Sequence, residues 1–159
     1  MALAHRGWRL LSDEITLYDL PSGRVSGMGR PVNLKNVSVE LIRQFAPQAV
    51  LTRPVPDTTK GTLALMKAPA ESVARIMEPA RPAWIVMPRY TAGAAPTLTE
   101  TPRARMLLLL AEQAFNYDLH GRGGFEATAD LVDRCACLDF EYSALDDAVR
   151  CIDALAAQA

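Results

Sequence analysis

Two adjacent carboxylates, Asp13 and Glu14, are the residues of this sequence best suited by type and position to catalysis. They follow an apolar run at residues 8–12, which predicts a strand that ends at the acids. Ligands of open α/β sheets bind beyond the carboxyl ends of strands, so one acid there could hold magnesium and one could accept a hydroxyl proton. Because neighbouring strand residues point to opposite faces, we expect Asp13 to face the metal directly. The structural alternative is that acids simply end many strands.

Three basic residues are candidates for holding the phosphates of a nucleotide. Lys35 lies between two asparagines after a Gly/Pro loop, and Lys60 precedes a glycine where backbone could approach a phosphate. Arg89 follows an apolar strand and could bind a phosphate through two parallel hydrogen bonds. A solvated surface charge is the competing interpretation of each.

A phosphate-binding loop is missing from the sequence. No Gly-x-x-x-x-Gly-Lys-Ser/Thr stretch occurs in the 159 residues. Such a loop supplies a cradle of backbone N–H groups and a lysine, whereas isolated basic side chains supply charge without a preorganised nest. We therefore expect weak or no ATP binding from this chain alone, and we interpret it as a phosphoryl-transfer domain that lacks its N-terminal part.

The three cysteines favour a reduced, structural role. Cys135 and Cys137 could supply two soft ligands to zinc, but a structural site needs four, and neither Cys151 nor a histidine lies at a recognisable zinc spacing. An odd number of cysteines also does not suggest a disulfide framework. We predict buried small hydrophobic side chains at a helix-to-strand junction.

Composition and charge exclude several classes of protein. The chain has 17 basic and 18 acidic residues, which leaves no electrostatic footprint for nucleic acid or an anionic membrane. The longest apolar run, at residues 106–111, is too short to span a bilayer, and residues 1–8 lack the apolar core of a signal peptide. These features predict a soluble cytoplasmic protein that binds neither nucleic acid nor membranes.

Hydrophobic periodicity and capping residues predict alternating strands and helices. Strands are expected at residues 8–12, 15–18, 62–66, 83–87 and 136–142. Residues 2–7 are expected to be the end of a helix that stops at Gly7. Further helices are expected at residues 38–45, with Ser38 as the cap, at residues 125–134, and after the predicted caps Thr101 and Ser143. Residues 47–60 are predicted to be a loop, and residues 121–124 a connection between helices. This order indicates one α/β domain, a mixed sheet with flanking helices, over residues 1–159.

Several blocks of the sequence carry a resemblance to a known family. The chain resembles the HPr-kinase-related proteins, and within them the kinase A branch associated with PEP-CTERM/exosortase gene systems. The similarity covers essentially the whole chain. Its blocks are RGWRLLSDE at residues 6–14, RPVNLKN at 30–36, KGT at 60–62, WIVMPRY at 84–90, AFNY at 114–117 and EYSALDDAV at 141–149.

The resemblance implies a fold like the catalytic domain of HPr kinase/phosphorylase, itself related to phosphoenolpyruvate carboxykinase. It implies an ATP- and magnesium-dependent serine-kinase-like phosphotransferase, in which an Asp-Asp pair ends a strand after the phosphate-binding loop. Asp13 matches the first position, the base toward a serine hydroxyl. Glu14 stands where the second Asp would be, which keeps the charge but lengthens the arm that would help to hold magnesium.

Three interpretations of function stay open at this point. The first is a phosphotransferase, inactive in this form for want of its phosphate-binding loop, and we adopt it. The second is a catalytically dead kinase-like module that acts by binding a partner. A third is a phosphohydrolase, since relatives of this fold also release phosphate from phosphoserine. The protein substrate is not indicated. The oligomeric state stays open between a monomer and a homo-oligomer, although the classical HPr kinases form homohexamers.

Overall fold

The structure is a computed structural model that describes residues 1–158. The chain forms two compact units, one comprising residues 1–17 and 26–78 and the other residues 18–25 and the chain from Pro79 onward. Helices flank one antiparallel and one mixed sheet, so the predicted α/β class is confirmed at this level.

The first unit is built on an antiparallel sheet of β3 (Val32–Lys35), β5 (Gly61–Met66) and β4 (Val55–Thr58), in that order. Its register pairs Val32 with Met66 and Lys35 with Leu63. A 3₁₀ helix, ended by Gly7 in the left-handed conformation as predicted, precedes this sheet. The elements are the 3₁₀ helix Leu3–Arg6, β3 Val32–Lys35, α1 Val37–Phe45, β4 Val55–Thr58, β5 Gly61–Met66 and α2 Ala70–Ala74.

One face of this sheet packs on α1 and the other carries polar residues. The alternation of apolar and polar residues in β3 buries Val32 and Leu34 and exposes Asn33 and Lys35. The buried cluster comprises Val32, Leu34, Val39, Ile42, Ala64 and Met66. The strand predicted at residues 62–66 is confirmed with one additional residue.

Residues 8–12 form no strand, so that prediction is wrong. The run is apolar, but its amides do not enter a ladder: the Trp8 N–H donates to the Leu3 carbonyl at 3.1 Å, and the Leu10 N–H donates to Ser72 Oγ at 3.0 Å. Asp13 and Glu14 consequently lie in a bend instead of at a strand end. The prediction of a loop at residues 47–60 is also wrong in part, because residues 55–58 form the strand β4. Pro56 is tolerated there because β4 is an edge strand.

The second unit is built on a mixed sheet of β6 (Trp84–Tyr90), β8 (Ala136–Tyr142) and β7 (Thr97–Glu100), in that order. β6 and β8 are parallel, in a register from Trp84 with Ala136 to Tyr90 with Tyr142, and β7 is antiparallel to β8. The elements are β6 Trp84–Tyr90, β7 Thr97–Glu100, α3 Arg103–Gln113, α4 Tyr117–His120, α5 Arg122–Arg134, β8 Ala136–Tyr142 and α6 Leu145–Ala156. A two-stranded sheet of β1 (Thr16–Asp19) and β2 (Arg24–Gly27) has its tip in this unit.

Several predicted boundaries in this unit need correction. β6 continues through Pro88 because it is an edge strand, where a missing N–H costs no ladder bond. α5 begins at Arg122, so the predicted loop at residues 121–124 shrinks to one linking glycine. Gly124 lies inside the helix, and a Cβ there would lie 2.5 Å from the Tyr117 carbonyl oxygen, so the position requires glycine. The strand predicted at residues 136–142 is confirmed at both ends.

None of the three predicted hydroxyl caps is formed. Ser38 lies inside the first turn of α1, Ser143 donates to the Ala94 carbonyl at 2.8 Å, and α3 begins at Arg103 after Pro102. The buried Thr101 hydroxyl has no hydrogen-bond partner within residues 1–158. The core beside it contains Met106, Val132 and Cys137.

We expect Thr101→Val to stabilise the protein by about 1 kcal/mol, because it removes a buried hydroxyl that makes no hydrogen bond and keeps the shape. Thr128→Val is the matched control, since its buried hydroxyl donates to the Gly124 carbonyl at 2.8 Å. That variant should lose about 1 kcal/mol. Urea unfolding of both variants checks the pair, and equal destabilisation by both would contradict the assignment of Thr101.

The tip of the β1–β2 hairpin is fastened to α5 by a tyrosine. The Tyr18 hydroxyl donates to Asp130 Oδ2, which also accepts from Arg134 Nε at 2.7 Å. Burial, and then the hydrogen bond to Asp130, raise the pKa of Tyr18 to about 12. The Arg134 guanidinium and the Tyr18 hydroxyl lower the pKa of Asp130.

This contact predicts a loss of stability at alkaline pH. The pKa of Tyr18 is raised on folding, so its contribution is complete below the unfolded value of about 10 and is lost as pH rises toward about 12. Tyr18→Phe should be less stable by about 1 kcal/mol at pH 8 and should lose less stability than the wild type between pH 10 and 12. Thermal unfolding checks this, with the exposed Tyr90→Phe as control. A wild-type pH profile unchanged in Tyr18→Phe would refute it.

Candidate active site

The first unit contains a cavity of about 240 Å³ that gathers the predicted acids. We call it the acidic cavity. Its walls come from the bend at residues 12–15, from the loop before β3, and from the exposed face of the sheet. The residues that line it include Ser12, Asp13, Glu14, Arg30, Asn33 and Leu65.

Asp13 is held against the free edge of β3. Its Oδ2 accepts the Asn33 N–H at 2.9 Å, and β3 is the outer strand of its sheet, so this amide has no ladder partner. Glu14 Oε1 accepts the side-chain amide of the same asparagine at 3.5 Å. Both acids are exposed. The amide orients the Asp13 carboxylate through Oδ2.

The acids fit magnesium only together with a substrate. Within residues 1–158 no group of three His, Cys, Asp or Glu side chains could hold a metal ion. Mg²⁺ in phosphoryl-transfer sites takes one or two carboxylates, several waters and the substrate phosphates. Asp13 and Glu14 supply two carboxylates on one cavity, which suits that mode of binding and not a closed protein site.

Arg30 and Asn33 are site residues that sequence reasoning missed. Arg30 lines the acidic cavity from the loop before β3, and Asn33 contacts both acids. Their positions depend on the approach of the bend to the strand, which no periodicity in the sequence reveals. The sequence placed both in one short block, RPVNLKN at residues 30–36, without indicating that they contact the acids.

Lys35 and Lys60 lie at one end of the β3-β5-β4 sheet. Lys35 is the last residue of β3 and shares the exposed face with Asn33, about 7 Å farther along the strand. Lys60 precedes β5, and its carbonyl accepts the Asn36 side-chain amide at 3.5 Å. Asn36 Oδ1 accepts the Thr62 N–H at 3.0 Å, so this one side chain ties the two lysines' segments together.

Arg89 belongs to the second unit and does not line the acidic cavity, all of whose residues belong to the first unit. It lies on β6, is largely exposed, and pairs with Glu141 Oε1 at 3.2 Å. The same carboxylate oxygen accepts the Thr91 hydroxyl at 2.7 Å. The guanidinium is therefore partly neutralised by its neighbour on β8.

The two cysteines at the start of β8 are buried, as predicted. Burial, and then the neighbouring Cys137, raise the pKa of Cys135 to about 11. Burial also raises the pKa of Cys137. Neither thiol is a thiolate at neutral pH, so neither is suited to nucleophilic attack.

Comparison with known proteins gave no match among protein-family models, curated proteins or solved structures. In the part of the chain that the structure describes, no helix has the length and apolar character needed to cross a membrane.

The contact between Asp13 and the Asn33 amide can be tested separately from any catalytic role. Asp13→Asn keeps a side-chain oxygen acceptor, so we expect stability within about 0.5 kcal/mol of the wild type. Asp13→Ala leaves the Asn33 N–H to water, and its hydrogen exchange should accelerate. Exchange measured by NMR checks this, with Glu112→Ala, which removes an exposed acid of α3, as control. Unchanged Asn33 exchange in Asp13→Ala would contradict the contact.

Proposed function

We propose that this chain provides the acidic side of the active site of an ATP- and magnesium-dependent phosphotransferase of the HPr-kinase-related type. The observation that carries the proposal is the meeting of two distant sequence blocks. Residues 6–14 and 30–36 bear the family resemblance, and their polar residues Asp13, Glu14, Arg30 and Asn33 line one cavity. A third block, at residues 60–62, is tied to the second through Asn36.

Asp13 is proposed as the base toward a serine hydroxyl. Its Oδ1 accepts the hydroxyl proton while the serine oxygen attacks the γ-phosphorus, and ADP leaves with the electrons of the broken P–O bond. The Asn33 amide positions the carboxylate through Oδ2, and such positioning is a main source of catalysis in phosphoryl transfer. When bound, magnesium would neutralise developing charge on the phosphates, with Asp13 and Glu14 as its protein ligands.

Arg30 and the lysines are proposed as the cationic side of the site. Arg30 lines the acidic cavity and can bind a phosphate through two parallel hydrogen bonds. Lys35 and Lys60 would contact the phosphates farther along the sheet. Arg89, which pairs with Glu141 in the second unit, carries the least support among the proposed phosphate ligands.

A binding module without catalysis is the second candidate, and one observation favours it. Four large apolar side chains around α4 are exposed: Leu108 at 67%, Phe115 at 85%, Leu119 at 87% and Phe125 at 49%. Large apolar side chains left exposed within one stretch of chain, residues 108–125, favour an interaction surface. Absence of phosphoryl transfer together with self-association in sedimentation would favour this candidate.

The test is a phosphoryl-transfer assay with magnesium and radiolabelled ATP. Because residues 1–159 hold no phosphate-binding loop motif, the assay uses the product of the whole reading frame that encodes this chain. Asp13→Asn should lower transfer by about 10²- to 10⁴-fold, the usual contribution of a general base, with the fold intact. Asp57→Asn removes an exposed acid outside the cavity and should retain activity. Retained activity in Asp13→Asn would overturn its assignment.

A further inference from the structure

A second cavity in the first unit, of about 290 Å³, differs from the acidic cavity in being largely apolar. We call it the apolar cavity. It lies between the segment at residues 10–12, the loop before β3, and α2. Its apolar walls are formed by Leu10, Leu11, Met28, Pro31, Val73 and Ile76.

The walls of the apolar cavity are fixed by polar contacts to the backbone. Ser72 is buried at 3% exposure, and its Oγ accepts the Leu10 N–H at 3.0 Å. Arg9 Nη1 donates to the Arg75 carbonyl at 2.9 Å and to the Glu78 carbonyl at 2.6 Å. These bonds join the two walls, so the cavity is formed before any ligand arrives.

Two cations complete the lining. Arg30 and Lys67 line the cavity beside its apolar walls and are both exposed. Within residues 1–158 neither side chain has a carboxylate partner within ion-pair distance, in contrast to Arg75 and Arg89, which pair with Glu78 and Glu141. An apolar volume beside two cations that make no ion pair is complementary to a ligand with an apolar body and an anionic head.

We propose that the apolar cavity binds a small amphipathic carboxylate, with its alkyl chain against Leu10, Val73 and Ile76 and its head group at Arg30 and Lys67. The volume is about ten times the ~30 Å³ that one water molecule occupies in the liquid, so it admits on the order of ten non-hydrogen atoms. An eight-carbon acid matches that number. The choice of this ligand does not rest on the proposed phosphotransfer, although Arg30 lines both cavities.

The test is a titration of the isotope-labelled chain followed by NMR, with octanoate as the probe. Octanoate should shift amides of residues 10–12, 28–30 and 72–76. Affinity should rise by about fourfold per methylene from butanoate to octanoate, because each buried CH₂ contributes about 0.8 kcal/mol, and should level off near ten non-hydrogen atoms. Octanol and acetate, which lack the charge and the chain respectively, should bind more weakly.

Variants of the cavity separate the contribution of the apolar walls to octanoate affinity from that of the two cations. Val73 is 53% exposed, so Val73→Asp should fold and should weaken octanoate at least tenfold, whereas Val37→Asp, at an exposed first-turn position of α1, should not. Arg30→Gln and Lys67→Gln should each weaken octanoate about threefold and leave octanol unchanged. Arg53→Gln, an exposed cation outside the cavity, is their control.

Three results would each overturn the proposal. They are equal affinity for octanol and octanoate, no dependence on chain length, and amide shifts that map outside the apolar cavity. The chain-length series uses only the wild-type chain, so the proposal stays testable if a variant does not fold.

Discussion

The free edge of β3 is the constraint on which the first unit depends. The N–H groups of Asn33 and Lys35 face away from β5, and unpaired backbone donors are costly unless water or another acceptor serves them. Here protein oxygens serve both: Asp13 Oδ2 accepts one, and Ser38 Oγ accepts the other at 2.8 Å. The first bond brings the bend that carries the acids against the sheet, and the second sets the start of α1. The acidic cavity forms where the bond from Asn33 to Asp13 holds the bend against β3.

Asn36 extends the same constraint to the end of the sheet. It has a positive φ of 51°, which is uncommon for a residue with a side chain, and its N–H donates to the Thr62 carbonyl at 2.8 Å. Its side chain then covers Gly61, where a Cβ would collide with Asn36 Oδ1. Such conformations persist only where surrounding bonds hold them. Asn36 therefore holds the segment of Lys60 against the end of β3, the strand whose Asn33 amide contacts Asp13.

Sequence reasoning succeeded where local pattern and tertiary packing agree. The alternating strand at residues 62–66 and the strand at residues 136–142 are present, and Gly7 ends its helical turn. It failed where a group has several possible partners. Three hydroxyl residues are of types that cap helices, yet none caps one. The Ser38 hydroxyl donates to the Lys35 carbonyl and that of Ser143 to the Ala94 carbonyl, while the Thr101 hydroxyl has no partner within residues 1–158. The apolar run at residues 8–12 failed for the same reason, because its amides bond outside any ladder. The acids could be proposed from their type alone, but Arg30 and Asn33 required the topology.

Arg30 gives the two proposed sites a physical connection, since it lines both cavities together with Ser12 and Pro31. A guanidinium offers five donors in one plane, enough for partners on two sides, but it carries a single charge. A phosphate in the acidic cavity and a carboxylate in the apolar cavity would share that charge and repel each other, so each would weaken the other. Such an effect must be reciprocal when it is measured as binding free energy. Magnesium on the phosphate would reduce the repulsion, because it neutralises one of the two anions. Under both proposals, a phosphate and a carboxylate should therefore weaken each other's binding, and magnesium should reduce this effect.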